Sequence, residues 1–264
     1  MTPAPADQPP LISIITVVRN DAAGLAATKA SITAQGPVDY EWLVADGGSD
    51  DDTLSVLDQP GPRPDWLDSR PDGGPFAGMD RAMRQARGTY LLFLNAGDRL
   101  AGPGVLAALI PHMTGVGAAD ILYGDSIEDP GDGKPRCKPA RHWRWAFYGM
   151  PAHHCAILYR RTLLAGLCFD QGYRIAGDYA VTLDALRRAQ RIVQLSVIIA
   201  AFAPGGLSRR HATLGREEQK RIREIHFSFP TPIFFAITML QTVAENLRHL
   251  SPKLYAFGRF RRYQ

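Results

Sequence analysis

With 264 residues, 45% hydrophobic and 21% charged, the chain has ordinary globular composition and length for one domain with an appendage. Its three cysteines, Cys137, Cys155 and Cys168, form no CxxC pair, which speaks against a disulfide framework or zinc knuckle and fits a reducing, cytoplasmic compartment. The net charge of +4 is uneven: residues 205–264 hold 11 Lys/Arg against 4 Asp/Glu, a net of +7, and the preceding residues stand at −3, so the tail is expected to meet a polyanionic surface.

Residues 1–10, MTPAPADQPP, lack the basic start and apolar core of a secretory signal and are expected to be a disordered leader. LISIITVV (11–18) is an unbroken, β-branched apolar run, the pattern of a strand covered on both faces. Asn20 and Asp21 can then cap a helix over 22–34. YEWLVAD (40–46) predicts a second strand, and Asp50–Asp52 an acidic helix start. A helix over 76–87, a strand over 89–95, a helix over 103–113 and a strand over 120–125 complete an alternating pattern with short connections. It predicts an α/β fold with a mainly parallel sheet. Residues 126–150, with the aromatic run HWRWAFY, predict a hairpin and an irregular binding segment. Further on, 155–161 reads as a strand, 177–190 as a helix, 191–202 as one long strand or a strand pair, and 214–228 and 231–249 as helices. The division between a nucleotide-binding half (11–125) and an acceptor half (126–208) falls near residue 125. A basic helical extension covers 209–264.

Ligands of such sheets bind beyond the carboxyl ends of the strands. Apolar runs there end in Arg19-Asn20-Asp21, Asp46-Gly47-Gly48, Asn95-Ala96-Gly97-Asp98 and Gly124-Asp125. Helix capping and turn formation account for each acid singly; their convergence on one edge is harder to assign to capping. Neither G-x-G-x-x-G after the first strand nor G-x-x-x-x-G-K-[ST] anywhere is present, so a Gly-rich loop does not cradle phosphate. A strand-end Asp beside Gly suggests instead Mg²⁺ or Mn²⁺ bridging a diphosphate.

IITVVRN, EWLVADGGSDDDT and DGGPFAGMDRAMRQARGTYLLFLNAGD, in this order, resemble the motifs of glycosyltransferase family 2, which has the GT-A fold. Within it the chain looks most similar to the bacterial exopolysaccharide branch resembling colanic acid glycosyltransferases. The resemblance covers about residues 11–208. It implies a nucleotide-sugar donor, UDP- or GDP-linked, with Val18, Arg19, Asn20 and Asp46 holding base and ribose and Asp72 lining the donor site. LNAGD matches the family's Asp-x-Asp segment, which implies Asp98 as ligand of a divalent cation and Asn95 as a donor contact. Asn95 and Gly97 stand where many members have acids, and Asp80-Arg81-Ala82 where relatives tend to have Asn-Lys-Gly. PAHHCAILYRR matches a segment with one expected His, best placed at His154. GGLSRRHA resembles a flexible GG-x-S loop, from which Arg209, Arg210 or His211 could close over the diphosphate, His211 also as a cation ligand; a solvated basic loop is the other reading.

AGDYAVTLDAL matches the segment of the catalytic base, placing it at Asp178. Transfer with inversion needs a carboxylate that takes the acceptor hydroxyl proton, although an Asp opening a helix also serves as a cap. Trp143 and Trp145 could stack on a sugar or lipid, or belong to the core.

PIFFAITMLQTVAENLRHL (232–250) places Ile233, Ile237, Leu240, Ala244 and Leu247 on one helical face, widened by Phe234, Met239 and Val243. Its apolar part is too short to span a membrane. With the basic, aromatic KLYAFGRFRRYQ after it, the segment predicts an amphipathic helix on an anionic membrane surface; packing on the domain or a homo-oligomer contact are its other uses. A nucleic-acid partner is not expected. The expectation is thus a metal-dependent, inverting glycosyltransferase, peripheral at the inner face of the membrane and acting on a lipid-linked polysaccharide precursor. One rival is a degenerate nucleotide-sugar-binding protein of the same fold. A nucleotidyltransferase is disfavoured by the missing Gly-rich loop.

Overall fold

The computed structural model describes residues 8–203, 206–257 and 259–260, with the backbone alone for Leu207, Arg209 and His249. The first apolar run forms β1 (Ile12–Val18), buried along its whole length. β2 (Tyr40–Asp46) and β4 (Tyr90–Phe93) pair in parallel on either side of it, and β3 (Trp66–Ser69) adds in parallel beyond β2. Parallel neighbours need crossovers, and α1 (Ala22–Thr33) and α2 (Pro75–Gln85) supply them. Asp21 Oδ1 caps α1, accepting from Gly24 N–H at 2.8 Å.

The second half comprises β5 (Arg99–Leu100), α3 (Val105–Met113), β6 (Ile121–Glu128), β7 (Arg136–Lys138), β8 (Ile157–Arg160), α4 (Gly177–Arg188) and β9 (Ile192–Ala201). Strand order is β3-β2-β1-β4-β8-β6-β9-β5, with β7 beside β6. β8 is antiparallel to both β4 and β6, whereas β9 is parallel to β6. The expected parallel order thus belongs to β1–β4, and the sheet is mixed beyond them. The proposed boundary at residue 125 falls inside β6. Leu25 and Ile32 of α1 and Leu106 and Leu109 of α3 join one core cluster. Phe76 and Met79 of α2 and Val181 and Ala185 of α4 join the other. Covering both sides explains why the central strands read as continuous apolar runs.

Several expectations change. Asp50–Asp52 open no α-helix; a 3-10 turn, Leu54–Asp58, follows instead. Lys29 Nζ ends it by donating to Val56 O, Leu57 O and Gln59 O at 3.0, 3.2 and 2.6 Å, and Pro60-Gly61 follow. β3 and β5 escape the sequence because they are four and two residues long. The expected hairpin is β6 with β7, and HWRWAFY is irregular as expected, with a 3-10 turn, Trp143–Trp145, and Trp145 57% exposed. Residues 1–7 of the expected leader lie outside the described residues, while Pro10 O already accepts from Thr89 N–H at 3.0 Å.

α5 (Leu207–Arg210), α6 (Ala212–His226), α7 (Thr231–Leu250) and α8 (Pro252–Phe257) follow. α6 buries Ile222 against Tyr179 and Leu183 of α4. α7 turns Ile237 inward, and its Gln241 Nε2 donates to Tyr148 O at 2.6 Å. The expected apolar face of α7 is therefore divided. Ile237 and Ala244 face the domain, while Leu240 and Leu247 stay exposed beside Phe235, Met239 and Val243. No helix of the described residues is long and apolar enough to cross a membrane.

Candidate active site

A continuous cleft of ≈ 1450 Å³ runs from the carboxyl ends of β1 and β4 to α6, α7 and α8. Val18, Arg19 and Asn20 line its strand-edge end. Asn20 stands at φ 50, in the left-handed region that side chains other than glycine seldom occupy. Reciprocal bonds hold it there. Asn20 Nδ2 donates to Asp50 Oδ1 at 2.7 Å, Asp50 N–H returns to Asn20 Oδ1 at 3.0 Å, and Asn20 N–H meets Ser49 Oγ at 2.8 Å. The loops after β1 and β2 are thereby locked together.

Asp46 does not line the cleft. It is fully buried, and its carboxylate accepts from Gly48 N–H, Ser49 N–H, Ser49 Oγ and Ser69 Oγ at 3.2, 2.9, 2.5 and 2.6 Å. Burial pushes this carboxyl up, but the bonds from Ser49, Ser69 and Gly48 outweigh it and hold it below its ordinary range. The expected ribose contact is thus corrected: Asp46 shapes the Gly47–Ser49 turn. Gly48 has φ 76, and a Cβ there would lie 2.7 Å from Pro71 N, so the turn requires glycine. Asp72 does line the cleft. It accepts from Gly74 N–H at 3.0 Å and from Arg81 Nη2 at 3.0 Å, and the same guanidinium nitrogen donates to Asp46 O at 3.2 Å. Arg81, one of the departures from the family pattern, ties Asp72 to the end of β2.

The LNAGD segment forms a turn closed by Asp98 N–H donating to Asn95 O at 2.9 Å. Thr28 of α1 pins it, its hydroxyl donating to Asp98 O at 2.7 Å and accepting from Gly97 N–H at 3.1 Å. Gly97 has φ 91, and a Cβ there would come 3.0 Å from Ala203 Cβ. That is the physical reason why no acid stands at position 97. Asp98 is 6% exposed, accepts from Ala203 N–H at 2.9 Å, and is pushed up to about 7 by burial. Asn95 Oδ1 is buried with no hydrogen-bond partner among the described residues. Both residues line the cleft, yet no group of three His, Cys, Asp or Glu able to hold a metal occurs among the described residues. One carboxylate and one free amide oxygen suit a hard cation only if phosphate oxygens complete its shell.

Asp178 lines the cleft from the first turn of α4. Burial, opposed by the bond from Tyr179 N–H at 2.8 Å, pushes its carboxyl up to about 6. Such a group is ionised at neutral pH and still basic enough to take a proton. Gly177 lets this helix start come close: a Cβ there would lie 2.8 Å from Phe76 Cε2. Sequence reasoning missed the support beneath it. Glu218 of α6, 3% exposed, accepts from the N–H groups of Arg174, Ile175 and Ala176 at 2.8, 2.9 and 2.8 Å. Its only signal was an acid on the inner face of a predicted helix.

His153 and His154 both line the cleft: they stand at a 3-10 turn, His154–Ala156, where neighbours are not sent to opposite faces as in a strand. His154 stacks on Phe93 at 4.7 Å; burial pulls it down to about 3, and its Nε2 has no partner among the described residues. It is a neutral imidazole free to bond a substrate. Arg210 lines the cleft, whereas the Arg209 side chain lies outside the described residues. His211 is corrected. It lines an adjoining hollow of ≈ 150 Å³ with Gln171 and Tyr173, because it stands between α5 and α6 with non-helical backbone, at φ −119, and is not among the residues of the cleft that holds Asp98. Neither Trp143 nor Trp145 lines the cleft; Tyr148 of the same run does. Also unforeseen were Glu128, Lys138, Arg141, Arg248 and Arg259, which line the helical end.

The model of the family described as glycosyl transferase family 2 matches residues 13–165. An uncharacterised glycosyltransferase of Mycobacterium tuberculosis is 28% identical over 228 residues, covering 84% of this chain and 86% of the relative. A PGL/p-HBAD biosynthesis glycosyltransferase of Mycobacterium bovis is 29% identical over 230 residues, covering 81% and 84%. Among solved structures, S. aureus TarS 1-349 in complex with UDP matches with a TM-score of 0.64 at 20% identity, over 94% of this chain and 77% of that one. The chain spans 44% of the longer TarS structure. A mannosyltransferase from Pyrobaculum calidifontis, in complex with GDP-Man and Mn²⁺, matches with a TM-score of 0.63 at 16% identity, over 94% and 72%. The expected GT-A fold is the fold of this chain.

Proposed function

The chain belongs to glycosyl transferase family 2 and is a glycosyltransferase, and on that premise we propose that it moves a sugar from a UDP- or GDP-sugar to a lipid-linked saccharide, with inversion. One observation carries this reading. A carboxyl raised to about 6, Asp178, lines the same cleft as Asn20, Asp72, Asn95 and Asp98. The neighbours crystallised with UDP or with GDP-Man and Mn²⁺ support it by analogy.

In this reading the nucleotide lies along the loops after β1 and β2, and Asp72 lines its diphosphate side. Asp98, with Asn95 Oδ1, would hold a Mn²⁺ or Mg²⁺, which when bound neutralises charge on the diphosphate. Arg210, in the same cleft, adds a positive charge for the diphosphate. Asp178 takes the proton of the acceptor hydroxyl as its oxygen bonds to the anomeric carbon from the face opposite the leaving group. The bond from that carbon to the diphosphate oxygen breaks, and the nucleoside diphosphate departs with the electron pair.

The acceptor reading rests on α7 and α8. Phe235, Met239, Val243, Leu250 and Phe257 are exposed there, next to the exposed Lys253, and α7 itself forms a wall of the cleft. A face of this kind suits the headgroup region of an anionic membrane; Arg261, Arg262 and Tyr263 of the expected anchor lie outside the described residues. Gly97 and the single carboxylate favour the rival reading of a binding protein without turnover. A screen of UDP- and GDP-sugars, with and without Mn²⁺, separates the two by product formation. Asp178→Asn is expected to lower transfer by about 10²–10⁴-fold while donor affinity stays within twofold. Wild-type transfer by this variant would reduce Asp178 to a helix cap.

A further inference from the structure

Four cations, Lys138, Arg141, Arg248 and Arg259, line the helical end of the cleft. Lys138 Nζ donates to Glu128 Oε2 at 2.6 Å and Arg248 Nη2 to Glu128 Oε1 at 2.5 Å, so one carboxylate serves two of them. Arg141 makes no ion pair among the described residues. Its Nη2 donates to Met150 O at 2.9 Å, and its guanidinium carbon lies 4.9 Å from the centre of the Tyr148 ring. Arg259 Nε is buried with no hydrogen-bond partner among the described residues, and its guanidinium stands 5.8 Å from the Tyr255 ring. Glu245 stands nearby, 3.7 Å from Arg216, and its charge also reaches Tyr255. His153, 2.8 Å from Lys138 Nζ, is pulled down to about 4, first by burial, and adds no charge at neutral pH.

Among the described residues the group, counted with Arg216, therefore carries five positive charges against the negative charges of Glu128 and Glu245. Its members sense each other. Burial and then the Arg259 charge pull Arg141 down to about 10. Burial, only partly opposed by Glu128, pulls Lys138 down to about 8, with Arg259 and Arg248 adding to the fall. Cations gathered on a cleft wall and short of counter-charge are expected to receive it from a ligand.

We propose that the helical end of the cleft is a subsite for a phosphate group carried by the acceptor, held by Arg141, Arg259 and Lys138. The proposal rests on the glycosyltransferase reading and names the chemistry of its acceptor. Two guanidinium forks and an ammonium suit tetrahedral phosphate oxygens, and Arg141 and Arg259 have donors to offer without breaking an ion pair. The placement also suits an apolar chain attached to that phosphate. Pro252 and Tyr255 of α8 line the cleft, while Leu254 and Phe257 of the same helix face outward.

The test uses the full chain saturated with UDP and Mg²⁺. It is titrated with farnesyl phosphate and, separately, with inorganic phosphate, while retained UDP is measured in the same samples. Wild type is expected to bind farnesyl phosphate without releasing UDP. Arg141→Gln and Arg259→Gln are each expected to bind it about tenfold more weakly, the loss of one charge-assisted contact, with UDP affinity unchanged. Inorganic phosphate bound with the same sensitivity shows that a soluble phosphate suffices; farnesyl phosphate bound alone shows that the lipid is part of the ligand. Both results support the subsite. Wild-type affinity in both variants, or binding only by displacement of UDP, overturns it. If UDP itself does not bind, the reading of the donor end fails, and the same titration without UDP still decides the subsite.

Discussion

The two ends of the cleft are built in opposite ways. At the strand edge, Asn20, Asp72 and the Asn95–Asp98 turn lie in loops that follow strands, braced from beneath by Asp46 at the end of β2, and their side chains are mostly spent on backbone N–H groups and on each other. The helical end draws its charges from residues up to 131 positions apart, Glu128 to Arg259, and leaves Arg141 and Arg259 without an ion pair among the described residues. The first end is a set of shaped turns suited to a ligand of fixed form. The second is a field of charge suited to an anion of varied attachment. Where chemistry is local in sequence it is legible there; where it is assembled across the chain it is not.

The sharpest way to break this contrast is to cut the link between the ends. Glu218 of α6 holds three N–H groups of the loop before Asp178. Glu218→Ala leaves those donors buried and unpaired, and is expected to cost about 3 kcal/mol of stability in denaturant unfolding. Transfer should fall far more than UDP affinity. Equal loss of both would mean that the ends are one unit. Acidification should act next, through the two raised carboxyls. Asp98, at about 7, must be ionised to hold a cation and Asp178, at about 6, to accept a proton, so transfer should begin to fall as the pH drops through 7 and lose at least about tenfold per unit below 6. A profile unchanged down to pH 5 would assign the proton to another group.

The smallest effect concerns the outer face of α7 and α8. Removing 230–264 would strip Gln241 and Arg248 from the cleft, so substitution is the cleaner probe. Leu250→Ser with Phe257→Ser should weaken sedimentation with anionic liposomes several-fold, each side chain contributing part of the burial energy of a large apolar group. UDP affinity should not move. Sedimentation equal to wild type, with a change of oligomeric state by light scattering, would make the face a contact between copies.

How far the sequence could be read follows the same division. The apolar runs at 12–18 and 40–46 announced β1 and β2 because strands covered on both sides need no alternation. Asp98 was singled out because it follows such a run, and Asp72 and Asp178 because the segments around them resemble family motifs; all three line the cleft. The direction of β8 was not legible, since nothing local in Ile157–Arg160 states which neighbours it meets. The facing of α7 was misjudged for a related reason. Periodicity measures how apolar residues cluster, and here Gln241, Glu245 and Arg248 took the inner side because a polar cleft lies there. The task of Asp46 depended on Ser69, 23 residues away on a strand too short to announce itself.

The left-handed backbone at Gly97 bears on how this chain could change over generations. Many members of the family carry an acid at that position. For this chain such an acid is not one substitution away. A side chain at φ 91 costs roughly 1–2 kcal/mol, and its Cβ would press on Ala203 at 3.0 Å. A smaller residue at 203, or a shift of the segment around it, would have to come first, a step with no benefit of its own. The lineage thus sits behind a ridge in sequence space. Variation in how tightly a cation is held is expected to arise at Asn95, where the isosteric change to Asp asks nothing of the backbone, and not at position 97.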